Sequence, residues 1–215
     1  MKKIVLPALL AAALFTAPAF AGQPVANKAA ASAVKPADKV YKLQPQLSTL
    51  GWDGKAVTHG HNGTVQFSGG ELLVRGNQLV GGTVTVDMKS IKATDIKDAE
   101  TSTKFMGHIT SDDFFGVSNN PTATFKITKV AYIKGAAADA NNANITGNLT
   151  IKGKTNSITF PAKVGVKNGV AAASGTATVD RTKYDIKYGS KSFFEGIGDK
   201  AIYDDFTLSF NVIAK

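Results

Sequence analysis

The chain of 215 residues contains no cysteine. Disulfides are therefore excluded, and so is a lipid anchor built on a cysteine; the fold must be held by its sheet and core alone. Histidine is scarce, with three residues, and there is a single tryptophan. No Gly-x-Ser-x-Gly, His-Glu-x-x-His or phosphate-loop pattern occurs, so no catalytic residue is assigned and no enzyme activity is expected. His59, His61 and His108 could in principle form a three-histidine metal site, which would make the chain a metal-dependent enzyme. No carboxylate is spaced to orient them, so no metal or other cofactor is expected, and His61 is read as orienting a turn or meeting a ligand head group. Apart from the first residues there is no long apolar run, so no transmembrane segment is expected. The formal net charge is +9, but the lysines are scattered and do not interleave with aromatics. They read as a solvated surface, and nucleic acid is not expected as a partner.

The first 21 residues carry Lys2 and Lys3, then an apolar stretch rich in Leu and Ala, then Ala19-Phe20-Ala21. This is the layout of a secretory signal peptide cleaved after Ala21, which points to the periplasm. Residues 22–38, rich in Ala, Lys, Pro and Asn, read as a flexible leader. Residues 39–215 then suit one domain with its own core. Nothing in the sequence specifies an oligomeric state.

Within that domain, apolar and polar residues alternate with period two. Val80, Gly82, Val84, Val86 and Met88 share one face of a run; Ala123, Phe125 and Ile127, then Ile145, Gly147, Leu149 and Ile151, then Phe206, Leu208, Phe210 and Val212 do the same. Each reads as a strand with one dry and one wet face. Asp53-Gly54, Asn62-Gly63, Gly69-Gly70, Gly76-Asn77, Lys152-Gly153 and Asn168-Gly169 read as turns or bulges. Strands are expected near 39–45, 48–57, 63–75, 78–90, 121–134, 142–152, 156–167 and 169–180. A last strand near 201–214 replaces or extends one of these. An all-β sandwich or closed barrel follows. Asp98 to Thr110, with acidic residues first and Phe105, Met106 and Ile109 at helical spacing, predicts one short helix placed to close a barrel end.

Five phrases, in order, resemble the YceI-like family of secreted lipocalin-like proteins. They are Trp52-Asp53-Gly54 with Gly60-His61-Asn62-Gly63; Val86-Asp87-Met88-Lys89-Ser90-Ile91; Asp113-Phe114-Phe115 with Pro121-Thr122-Ala123-Thr124-Phe125; Gly147-Asn148-Leu149-Thr150 through Gly153-Lys154-Thr155; and Arg181-Thr182-Lys183-Tyr184-Asp185-Ile186. Asp185 stands where the family usually has Gly. The resemblance runs from about Val40 to the C-terminus. It implies an eight-stranded antiparallel lipocalin-like β-barrel holding a polyisoprenoid or other long-chain amphiphile. An eight-stranded barrel has room for side chains or one small ligand, so the rival to a carrier is a structural or stress-response envelope protein whose barrel is filled.

Trp52, Phe67, Val84, Val86, Phe125, Ile127, Leu149, Phe160, Phe206 and Phe210 are the expected lining residues on the strands. Phe105, Met106, Phe114 and Phe115 are expected from the helix and the loop after it. Tyr184 is expected near the ligand, and His61 and Arg181 are the expected head-group contacts.

Overall fold

The computed structural model describes residues 37–215. The signal peptide and almost all of the leader expected from the sequence lie outside the described residues. Nine strands and one helix follow in order: β1 Lys39–Lys42, β2 Thr49–Ala56, β3 Gly60–Arg75, β4 Gln78–Ala93, α1 Ala99–Thr110, β5 Thr122–Tyr132, β6 Ala143–Ile151, β7 Lys154–Lys167, β8 Val170–Asp180 and β9 Ile202–Ala214. Neighbouring strands pair antiparallel in the order β3-β2-β9-β8-β7-β6-β5-β4, and β4 pairs back onto β3 to close an eight-stranded barrel.

The ninth strand does not add a stave. β1 pairs with the end of β3, from Lys39 opposite Val74 to Lys42 opposite Glu71. Just beyond β1, Leu43 bridges Ala214 at the end of β9, and Lys42 exchanges backbone hydrogen bonds with Lys215. β2 continues between the same two neighbours. β1 and β2 therefore make one stave interrupted by the 3₁₀ turn Pro45–Leu47, where Pro45 supplies no backbone donor.

Three two-residue hairpins join strands as the sequence predicts, at Gly76-Asn77, Lys152-Gly153 and Asn168-Gly169. Lys152-Gly153 and Asn168-Gly169 both have positive φ at each residue (49 and 70, 50 and 74), the conformation that matches the twist of paired strands. Asn62-Gly63 and Asp53-Gly54, expected as turns or bulges, lie inside β3 and β2 and face each other, Asp53 opposite Asn62, with a register shift between Gly54 and Ala56. Glycine serves close approach there. A Cβ on Gly63 would stand 1.7 Å from the Lys92 carbonyl oxygen and 2.7 Å from Trp52 Cζ2.

The face expected for Val80 is also corrected. Leu79 is buried and Val80 only half-buried, whereas Val86 and Met88 are buried as expected. A register shift between Leu73 and Val74 inserts one extra residue opposite β3 and flips the phase. β3 switches phase too, from Val65 and Phe67 to Leu72 and Val74, at a bulge between Phe67 and Gly69. Gly70 at φ +144 follows it, and a Cβ there would lie 2.4 Å from the Thr83 carbonyl oxygen. Gly70→Ala is expected to destabilise the barrel by about 1–3 kcal/mol through strain and clash, read as a fall in the urea midpoint at unchanged m-value; a neutral result would remove the bulge from the account.

Strand direction sorts the connections. The β2–β3 turn, α1, the β6–β7 hairpin and the long segment between β8 and β9 lie at one end, called the mouth. At the far end, Ala143 pairs with Ala162 and Ala171 with Ala214, all nearly inaccessible to solvent. Leu43, Leu72, Val74 and Leu79 are buried with them, which closes that end.

Candidate ligand cavity

The barrel interior contains two apolar spaces that share a waist. The outer one, of about 190 Å³, opens toward the mouth. Trp52, Val86, Phe105, Phe114, Phe115, Leu149 and Phe206 line it, together with His61 and the buried Arg181. The inner one, of about 100 Å³, is lined by Phe67, Val84, Phe125, Ile127, Phe160 and Phe210. Leu50, Val86, Ala123, Leu149 and Leu208 border both spaces, so the two adjoin inside the barrel. Polarity falls from the outer space to the inner one. The outer wall includes Lys55, His59, His61, Arg181, Tyr203 and Asp205, while Thr124 is the one hydroxyl on the inner wall. The inner wall carries an aromatic run, with Phe160 5.4 Å from Phe125 and 5.3 Å from Phe210 between ring centroids.

The helix forms the lid because its sequence fixes both start and face. Asp98 caps it, its Oδ1 accepting from the Thr101 backbone N–H at 2.8 Å. Phe105 and Ile109, four residues apart, then project from one side onto the outer space. Met106 falls off that face: it packs against the core but does not line either space. Tyr184, also expected near the ligand, is buried in the wall and lines neither space. Burial pushes its hydroxyl up to about 12, and the nearby Asp180 charge acts in the same direction.

A latch ties the lid to the barrel. Asp95, between β4 and α1, accepts from His61 Nδ1 at 2.8 Å and from the Asn62 backbone N–H at 3.2 Å. The His61 ring in turn lies 4.4 Å from Phe105 of the helix, and Phe105 stacks on Trp52 at 6.3 Å. Burial alone would raise the Asp95 carboxyl; the hydrogen bonds from His61 and the backbone outweigh it and hold the carboxyl below its ordinary value of 3.8. A carboxyl depressed by folding contributes stability at pH above its unfolded value and loses it as pH falls through the folded one. The Asp98 cap carboxyl is depressed by its Thr101 bonds and has the same sign. Hydrogen exchange of the α1 amides, corrected for intrinsic rates, is therefore expected to accelerate as pH drops below about 4; a protection pattern flat through that range would contradict the latch.

Arg181 is not free for a head group. Its guanidinium is buried and donates to four backbone carbonyls: Nε to Tyr203 at 3.0 Å, Nη1 to Ile186 and to Tyr188 at 2.8 Å each, and Nη2 to Ile202 at 3.0 Å. Asp204 lies 3.7 Å away. Asp185, where the family usually has Gly, adopts the left-handed conformation with φ 62 and ψ 30. The site thus requires positive φ, which aspartate tolerates better than most non-glycine residues.

The three histidines do not converge. His59 and His61 rings are 5.3 Å apart, but His108 packs edge-on against Phe114 and Tyr188 and sits 3.4 Å from Asp113. Among the described residues no group of three or more metal-ligating side chains forms a metal site. Among them, too, no helix is long and apolar enough to cross a membrane.

The sequence reading missed Leu50, Met88, Ile91, Ile109 and Ile186 as lining residues. Met88 was legible as the next step of the Val84–Val86 face, and Ile109 as the helical partner of Phe105. Ile91 was not, because β4 changes phase again beyond Met88.

Closed antiparallel strands around an apolar interior with a helical lid define a lipocalin-like barrel. Residues 41–214 match the YceI-like domain, and the chain belongs to that family. Short stretches resemble curated UPF0312 proteins. One of Pseudomonas aeruginosa is 47% identical over 57 residues, 26% of this chain and 27% of that protein. One of Pseudomonas paraeruginosa is 40% identical over 86 residues, 37% of this chain and 42% of that protein. The matched stretches thus span less than half the length of these relatives. Two solved structures share the fold. BcnA of Burkholderia cenocepacia superposes with a TM-score of 0.61 at 22% identity, covering 80% of this chain and 99% of that one. A polyisoprenoid-binding domain from Saccharophagus degradans, implicated in plant cell wall breakdown, does so with a TM-score of 0.55 at 15% identity, covering 81% and 97%.

Proposed function

We propose that this chain is a secreted, periplasmic binding or carrier protein that holds one long-chain isoprenoid, quinone or fatty amphiphile along the barrel axis. The observation that carries the reading is the pair of adjoining apolar spaces between the mouth and Phe210, which share Leu50, Val86, Ala123, Leu149 and Leu208. Its polarity gradient suits a molecule with a tail inside and a polar end near the lid. Membership of the YceI-like family and the polyisoprenoid-binding domain among its fold relatives support the same class of ligand. The basic, then apolar, then small-residue start of the chain supports export, with residues 1–21 removed and residues 39–215 forming the binding domain. A barrel filled by its own side chains is disfavoured by the two spaces.

Delipidated protein titrated with a homologous series of acyl and prenyl chains tests the proposal, with fluorescence of the lone Trp52 as reporter. Affinity is expected to rise about fourfold for each added methylene that enters the cavity, from ~0.8 kcal/mol of transfer free energy, and to plateau when the path is full. Absence of binding at every chain length would sink the carrier reading.

A further inference from the structure

The segment between β8 and β9 and the start of β9 carry most of the exposed aromatic surface. Among the described residues five aromatic side chains are exposed, and four of them, Tyr188, Phe193, Phe194 and Tyr203, stand here at 47–51% exposure. They sit on a pinned platform. Arg181 holds the carbonyls of Tyr188 and Tyr203 through one guanidinium. The Ser190 carbonyl accepts from the backbone N–H groups of Phe193 and Phe194 at 3.2 and 3.0 Å, and the Gly189 carbonyl accepts from Ile202 at 2.7 Å. The Ser192 hydroxyl donates to Asp204 of β9. Rings held out in this way add nothing to the core, and clustered exposed apolar groups mark a contact surface.

Charge says what meets them. Lys187 lies over the Phe193 ring at 5.1 Å and pairs with Asp185 at 2.8 Å. The hydrogen bond from Lys187, then the charges of Lys187, Lys154 and Lys152, hold the Asp185 carboxyl below its ordinary value. Lys152 and Lys154 come from the β6–β7 hairpin, so two separate stretches bring lysines to one place. Lys183 and Lys191 stand on the same segment, Lys183 paired with Asp180 at 3.8 Å. Five lysines thus precede or flank the rings; Glu195 and Asp199 follow them. The patch is also continuous with the cavity. Tyr203 lines the outer space, and Tyr188 packs edge-on against His108 of α1.

Resting on the chain-binding reading above, we propose that Tyr188, Phe193 and Phe194, with the lysines around Asp185, form a docking surface for an anionic lipid bilayer that sets the barrel mouth against the membrane. Long-chain amphiphiles partition into bilayers and hardly dissolve in water, so a protein that holds one gains or loses it at a membrane. Aromatic rings settle at the level of the lipid head groups, and lysines beside them attract anionic lipid. A second copy of the chain is a poorer match. Four half-exposed rings offer about 400 Å² of surface, half of the ~800 Å² per partner of a stable interface, and two lysine clusters would repel.

The probes are vesicles of phosphatidylcholine alone or in equal mixture with phosphatidylglycerol, sedimented with the whole protein. The protein is expected to partition onto the mixed vesicles in about 0.1 M salt. Binding is expected to fall about tenfold on phosphatidylcholine alone, and likewise in about 1 M salt, where the screening length drops from ~10 to ~3 Å. Phe193→Ser combined with Phe194→Ser is expected to weaken binding to mixed vesicles about tenfold. Lys154→Glu combined with Lys191→Glu is expected to remove the preference for phosphatidylglycerol. None of these four residues lines either space, so both variants are expected to keep the wild-type urea midpoint and chain affinity. The inference is overturned if the protein ignores mixed vesicles, if either variant behaves as wild type on them, or if both vesicle types bind alike. A dimer in sedimentation velocity without vesicles, dissolved by the Phe193 and Phe194 changes, would assign the patch to a second copy and overturn it too. Vesicle binding of the expected kind by a protein that takes up no chain would leave the docking surface standing and overturn the chain-binding reading alone.

Discussion

Replacing Arg181 with alanine is expected to cost about 3–5 kcal/mol of folding stability, a large part of the 5–15 kcal/mol typical of a domain. The residue is 4% exposed, and loss of its side chain strands the carbonyls of Ile186, Tyr188, Ile202 and Tyr203. Burial lowers the Arg181 pKa, with the Asp204 and Asp180 charges opposing that shift. A charge this costly to bury is kept because the planar fork ties three separate stretches of chain at once. Arg181→Lys is expected to recover little, because a flexible point donor cannot serve carbonyls on both sides of the fork. Urea unfolding of both variants checks this. Losses under about 1 kcal/mol, the level of ordinary surface changes, would show that the mouth segment holds together without its staple.

Ala123→Phe is expected to close the path at its waist and weaken long-chain binding by about a hundredfold. Ala123 borders both spaces and faces Val86 across β4 and β5. A ring there would bar the tail from the inner chamber. Denying burial to about four methylenes forfeits roughly 3 kcal/mol, which is the hundredfold. Because the ring enters empty space, stability is expected to change by less than about 1.5 kcal/mol. Short chains that stay in the outer chamber should bind as before, so the chain-length series loses its upper part only. Equal weakening of short and long chains would show that the two spaces are not one path.

Much of the barrel is legible in the sequence because its signals are local. Lys152-Gly153 and Asn168-Gly169 are turns by their own conformational preferences, and the Phe125–Ile127 and Phe206–Phe210 alternations announce an inward face. Asp98 ahead of an amphipathic run announces a capped helix. What escaped depends on partners far along the chain. The slip that buries Leu79 in place of Val80 arises from a bulge against β3 and leaves no mark in β4 alone. Asn62-Gly63 has the composition of a turn, yet Gly63 is needed to let Trp52 and the Lys92 carbonyl approach. The link from His61 to Asp95 spans 34 residues, and the four acceptors of Arg181 are backbone atoms, which no residue pattern encodes. Phe105 lines the outer space and Met106 does not, since one residue on a helix turns the side chain by about 100°.

The central claim is that the barrel interior carries one long apolar molecule. Native mass spectrometry of protein purified gently from its source, followed by organic extraction of the same sample, tests it most directly. The account predicts a single added mass at one-to-one stoichiometry, released on extraction as an isoprenoid, quinone or fatty chain and depleted in the Ala123→Phe protein. An apo mass for protein that also takes up no such lipid after purification would contradict it.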